Sequence, residues 1–131
     1  MIKIGFKVDQ YVLNRSADIR NEFVHSVCAL ALVFRQLFPG AKVYANRIAF
    51  SDHDGYEHSI LLPEKAQLWQ HKWDLSTPDQ RRKLPHLQGT LEVPKSVVTA
   101  IGEYDFMRVV SANHHIWLIQ KEEVVLETIP A

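Results

Sequence analysis

The sequence predicts an α+β fold in which one long buried helix packs on an antiparallel or mixed sheet of about five to seven strands, with a short helical segment in the middle. Three observations carry this. Ile2, Ile4, Phe6 and Val8 alternate with Lys3, Gly5 and Lys7, the period-two mark of a half-buried strand. Ile19, Phe23, Val27, Leu30, Phe34 and Leu37 recur at helical spacing, with Val24, Cys28 and Ala31 as a second stripe beside them. Asp54-Gly55 stands between two apolar runs, where both residues tolerate the positive φ that a two-residue hairpin needs.

Taken in order, the first strand gives way to a helix whose N-cap oxygen comes from Ser16, with Asp18 in the first turn. Pro39-Gly40 stops that helix. Lys42 to Phe50 and Tyr56 to Leu62 read as the strands of a hairpin, in a register that sets Ile48 against Leu61 and Phe50 against Ser59. Pro63 opens a second helix, on which Leu68, Trp69 and Trp73 can share one side. Thr77 and Gln80 form a capping box around Pro78, predicting a short basic helix through Arg81, Arg82 and Lys83. The last third reads as a strand at Thr90 to Val93, a helix from Pro94 to Ile101 stopped by Gly102, and strands at Phe106 to Val110, His115 to Ile119 and Val124 to Ile129.

Composition limits the function classes. The 131 residues are 47% apolar and 23% charged, an ordinary globular balance that suits one domain over residues 1–131. Lys plus Arg and Asp plus Glu both number 15, so neither a broad phosphate-binding face nor a nucleic-acid mimic is written into the net charge. A single cysteine, Cys28, allows no internal disulfide and reads as a small buried hydrophobe. Met1 to Ile4 reads as strand rather than signal peptide, and Phe23 to Phe34 is shorter than the roughly 20 residues of a membrane span. Cytoplasmic residence without a membrane partner is the expectation.

Nucleophile and cofactor fingerprints are absent: there is no Gly-x-Ser-x-Gly elbow, no phosphate-binding glycine loop and no Gly-x-Gly-x-x-Gly. The expectation is a non-enzymatic chain with no cofactor. Histidines supply a third, weaker reading. Asp52, His53, Asp54, Glu57 and His58 crowd one hairpin, and a metal would need a further ligand from His114 or His115. His58-Ser59-Ile60 resembles one half of the paired His-x-Ser/Thr pattern of two-histidine phosphoesterases, although neither His114 nor His115 has a hydroxyl residue at the matching third position.

The interaction reading is favoured. Trp69 and Trp73 lie four residues apart, with Lys65, His71, Lys72, Arg81, Arg82 and Lys83 around them. Large aromatics usually anchor a core, yet Trp and Arg are also over-represented at binding hot spots. Trp69, Trp73, Lys72, Arg81, Arg82 and Lys83 are therefore the candidate partner-binding residues. The partner class is a protein or protein complex, as for a small inhibitor, immunity or phage-accessory protein. Nucleic acid is the alternative, bound by the basic 65–83 segment or the 89–120 region. Gly89 to Gly102 followed by Ile116 to Ile119 resembles the swapped-hairpin DNA-binding module of AbrB and MraZ-type transcription factors. That resemblance implies a second hairpin after Gly102 and an intertwined dimer. Thr90 and Val98 or Thr99 stand where the family commonly carries arginine. A homodimer is also open through an edge strand at Val124 to Ile129.

Overall fold

The computed structural model describes residues 1–19 and 28–121. The fold is α+β, with two separate three-stranded antiparallel sheets and, among the described residues, six short helices. The first strand, β1 (Ile2–Val8), lies where its alternation predicts and buries Ile2, Ile4, Phe6 and Val8. It is the centre of its sheet, paired on one side with β5 (Leu87–Val93) and on the other with β6 (Ile116–Lys121).

The long helix is corrected. Asp9, at the end of β1, caps α1 (Gln10–Ser16) by accepting a hydrogen bond from the Val12 N–H at 3.2 Å. Ser16 therefore ends a helix instead of starting one, and its hydroxyl turns back to the Leu13 carbonyl at 3.3 Å. Among the described residues the next helix, α2 (Ala29–Phe34), is six residues long. Phe23, Val24 and Val27, predicted for the middle of the single helix, lie outside the described residues. Apolar spacing tells which face is buried but not where a helix begins or ends, and of the predicted stripe α2 carries Leu30, Ala31 and Phe34.

The single sheet is corrected as well. Lys42 to Phe50 is two strands, β2 (Lys42–Val43) and β3 (Arg47–Ser51), because Ala45-Asn46 turn the chain and the Tyr44 N–H closes on the Arg47 carbonyl at 2.9 Å. With β4 (Glu57–Leu61) they form the second sheet, in the order β2-β3-β4. Its hairpin register differs by one residue from expectation: Ile48 faces Ile60 and Phe50 faces His58. The cause is a three-residue loop, His53-Asp54-Gly55. Asp52 and Tyr56 still pair through the backbone at 2.9 Å, and only Gly55 needs positive φ, at 85°.

Helix α3 (Glu64–Leu75) starts after Pro63 as expected, and α4 (Pro78–Arg82) carries both halves of the Thr77–Gln80 capping box. Leu68 does not join Trp69 and Trp73 on the buried side; it is exposed. Pro94 and Gly102 bound α5 (Lys95–Ile101). Phe106 to Val110 is not a strand but the middle of α6 (Glu103–Ala112). Gly102, at φ 102°, ends one helix and its carbonyl accepts the Phe106 N–H at 2.9 Å to begin the next. Phe106 and Val110 are both buried at helical spacing, a pattern that a run this short shares with a strand. The second hairpin implied by the transcription-factor resemblance is therefore replaced by a helix. Val124 to Ile129 lies outside the described residues.

One core joins the two sheets. A row of rings runs through it: Phe6 of β1 meets Phe34 of α2 edge-on at 5.0 Å, Phe34 meets Phe38 at 6.3 Å, and Phe38 meets Phe50 of β3 at 5.3 Å. Two glycines make room for aromatics in the first sheet. Gly89 lies opposite Phe6, and Gly5 lies under Trp117, where an added Cβ would sit 2.2 Å from the indole ring. Gly5→Ala is thus expected to cost about 1–3 kcal/mol by overpacking. Urea unfolding checks it, and the loss should shrink sharply when Trp117→Ala removes the ring.

Candidate functional site

The aromatic and basic segment turns largely inward. Trp73 is fully buried, Trp69 is 6% exposed and Arg81 is 4% exposed. The Trp69 indole donates to the Pro85 carbonyl at 2.8 Å. Arg81 lays its guanidinium 3.7 Å from the Trp73 ring centre. Its Nε donates to the Trp73 carbonyl at 3.0 Å, and its Nη1 to the Ala17 and Ile19 carbonyls at 3.2 Å each. Arg81 therefore donates to carbonyls at the end of α3 and just beyond α1, adding to the Ser76 N–H that the Trp73 carbonyl also accepts. Burial lowers its pKa, and the nearby Asp74 charge works against that. Arg82 is tied to Asp18 at 2.6 Å and Asp79 at 3.4 Å. Lys72 and Lys83 are exposed. These three buried side chains hold elements together inside the chain, leaving Lys72, Arg82 and Lys83 as the surface part of the predicted set.

Two of the seven histidines pair with aspartates. His58 Nε2 bonds Asp52 Oδ2 at 2.7 Å on the β3–β4 hairpin, and its ring stacks on Phe50 at 5.2 Å. Asp52 also accepts from the Asp54 and Tyr56 N–H groups, so it fixes the loop. The His58 hydrogen bond, with those N–H groups, holds the Asp52 carboxyl below the usual carboxylate range. His115 pairs instead with Asp9, its Nε2 lying 3.1 Å from each carboxylate oxygen. No group of three His, Cys, Asp or Glu able to hold a metal occurs among the described residues.

Around the second pair the surface is concave. A 540 Å³ hollow lined by Lys7, Asp9, Tyr11, Asn113, His114 and His115 adjoins one of 210 Å³. Arg15 and Arg35 line the smaller one, and Tyr11, Gln36, Asn113 and His115 line both. Together they make a trough. Each wall comes from a different element. Lys7 comes from the outward-facing positions of β1, and Asp9 from the cap where β1 becomes α1. Tyr11 and Arg15 are one helical turn apart, with the guanidinium 5.2 Å from the Tyr11 ring centre. Arg35 and Gln36 follow the end of α2. Asn113 ends α6, accepts the His115 N–H at 2.8 Å and donates to Gln36 Oε1 at 2.5 Å.

Charge is uneven here. Lys7, Arg15 and Arg35 make no salt bridge among the described residues. Asp9, the only carboxylate among the described residues of the walls, is occupied by His115 and the Val12 N–H. Burial raises the Asp9 pKa, but those hydrogen bonds with the His115 and Lys7 charges outweigh it and hold the carboxyl below its usual range. Tyr11 and His115 stack with ring centres 6.2 Å apart and planes at 25°, and Tyr11 remains 60% exposed. The arrangement can offer cations, amide donors and acceptors, a flat aromatic surface and an imidazole held by a carboxylate.

Sequence reasoning placed His115 in a metal or hydrolytic reading and missed its partners. Asp9 directly after an alternating strand, followed by Gln10-Tyr11-Val12-Leu13, is an N-cap signal that would have located the trough's centre. Arg15 and Arg35 carry no local signal, since only the fold brings them to one surface. Cys28, by contrast, is as expected: it is buried, and burial pushes its thiol up to about 12. No helix among the described residues is long and apolar enough to cross a membrane. The chain matches no family model, no curated protein and no solved structure.

Arg81→Ala should cost about 3 kcal/mol in urea unfolding, because three carbonyls lose a buried charged donor, whereas Arg82→Ala should cost under about 1 kcal/mol at the surface. Acid should act through Asp9 and Asp52. Both have lowered folded-state pKa values, so their stabilisation is full above the ordinary carboxylate pKa of about 4 and is lost as pH falls through the folded values. An Asp52→Asn variant should accordingly lose less stability than the parent between about pH 6 and about pH 3, read as the shift in urea midpoint.

Proposed function

We propose that this chain acts by binding another macromolecule, and that the trough between α1, α2 and β6 is where it binds. One observation carries the reading: Arg15 and Arg35 line the trough and form no salt bridge among the described residues, and Lys7 beside Asp9 adds a third cation, in a protein whose formal net charge is zero. Gathering like charges costs energy unless a partner neutralises them, so the expected partner presents anionic groups. Exposed Tyr11, with Arg15 and Arg35 beside it, is of the residue types that anchor interfaces, and the amides of Gln36 and Asn113 add hydrogen-bonding capacity. A small inhibitor, immunity or phage-accessory protein of the cytoplasm would work in this way, by occupancy of its partner. The free, buried Cys28 accords with a reducing compartment.

The competing surface is the rest of the predicted basic segment, Lys72, Arg82 and Lys83. Its charge is less available, since Arg82 is already paired with Asp18 and Asp79. Affinity capture from native lysate separates the two. An Arg15→Glu, Arg35→Glu variant should lose the captured partner, while a Lys72→Glu, Lys83→Glu variant should retain it. The reverse pattern would move the binding face to α3 and α4, and retention by both variants would remove the electrostatic reading.

A further inference from the structure

The anion-binding trough has an internal order that narrows its ligand. At one end stand the two planar guanidinium groups of Arg15 and Arg35; at the other stand Lys7 and His114. The floor between them carries no lysine or arginine among the described residues, and Val12, Leu32 and Val33 also line the smaller hollow. The floor is formed by the Tyr11 and His115 rings, offset and near-parallel, and by the side-chain amides of Gln36 and Asn113. A ligand that fits this order carries negative charge at two separated points, with a flat polar group between.

We infer that the trough binds a short stretch of single-stranded nucleic acid, with phosphates at the two cationic ends and a base on the central floor. This rests on the trough being the binding site at all. A nucleotide supplies both requirements: its flanking phosphates match the separated cations, and its base offers a π-face and a mixed donor–acceptor edge. Arginine is suited to the phosphate end because its fork can donate two parallel hydrogen bonds to one phosphate. An acidic peptide would satisfy the cations but would leave the ring and amide floor without a counterpart. A duplex fits poorly, because its bases are stacked away from the ring and amide surface. Zero net charge points the same way: a few nucleotides need only a few cations, whereas a duplex-binding face needs many.

The test is fluorescence anisotropy with a labelled eight-nucleotide mixed-sequence RNA, the same sequence as DNA, its duplex, and a glutamate-rich peptide of equal charge. Either single strand should bind more tightly than the duplex and the peptide, and the tighter of the two identifies the sugar. With three cations engaged, affinity should fall about 15–20-fold between about 50 and about 200 mM salt. Arg15→Glu should weaken binding and flatten that salt dependence. Tyr11→Ala should weaken it about tenfold with the salt dependence intact, and Tyr11→Phe should restore it, which separates stacking from charge. The salt titration and Tyr11→Phe use protein with its ring and charges in place, so they decide the matter even where a charge reversal impairs folding. Duplex or peptide binding as tight as the single strands, or no effect of Tyr11→Ala, would overturn the inference. Protein that ignores both strands yet captures its lysate partner through Arg15 and Arg35 would overturn the nucleic-acid assignment alone. Loss of both behaviours would overturn the trough as a binding site.

Discussion

The aromatic row from Phe6 through Phe34 and Phe38 to Phe50 is the contact on which the rest of this structure depends. The two sheets share no backbone ladder, so no hydrogen-bond pattern fixes one against the other. Side-chain packing must do it, and these rings pass from the centre of one sheet, across α2, into the centre of the other. Each aromatic pair adds about 0.5–1.5 kcal/mol beyond the area it buries, and its angular preference also specifies orientation. The row ends at His58, whose ring lies on Phe50 and whose Nε2 is held by Asp52, so the hairpin loop is anchored to the same core.

From that row the trough follows. Phe34 is the last residue of α2, and fixing it fixes Arg35 and Gln36 immediately beyond. Phe6 is two residues from Val8 on β1, and fixing it fixes Lys7 and the Asp9 cap. β6 is aligned on β1 with Phe6 opposite Ile116, which sets His115 beside Asp9. Residues far apart in sequence reach one surface because their neighbours are packed rigidly in one core. The polar residues themselves contribute little to holding that geometry, apart from the Asp9–His115 pair and the Asn113 bonds to Gln36 and His115.

Arg81 illustrates how the same side chain can serve opposite ends. A cation beside tryptophan is an interaction hot spot when exposed and a staple when buried. Here the guanidinium stacks on Trp73 and closes the carbonyls of two helix ends, which spends its donors inside the chain. Lys72, Arg82 and Lys83 are near it in sequence but are left at the surface. Sequence proximity grouped side chains that the fold divides between core and solvent.

Local chemistry was legible in the sequence alone. The alternation of β1, the Thr77–Gln80 capping box, the Pro63 and Pro94 helix starts and the Gly102 stop were all readable, because each depends on residues within one helical turn or one strand. The α+β class follows from those pieces. Only the tertiary structure decided how they combine. That β1 pairs with β5 and β6 rather than with the neighbouring hairpin is a matter of long-range partner choice, and strand patterning records burial without naming a partner. Phe106 to Val110 became helix because both residues could be buried on one side of α6, a choice open to either period in so short a run. Arg15, Arg35 and His115 met at one trough for the same reason: charged surface residues carry no sequence signal of their future neighbours, and only the packing of the elements beneath them sets where they point.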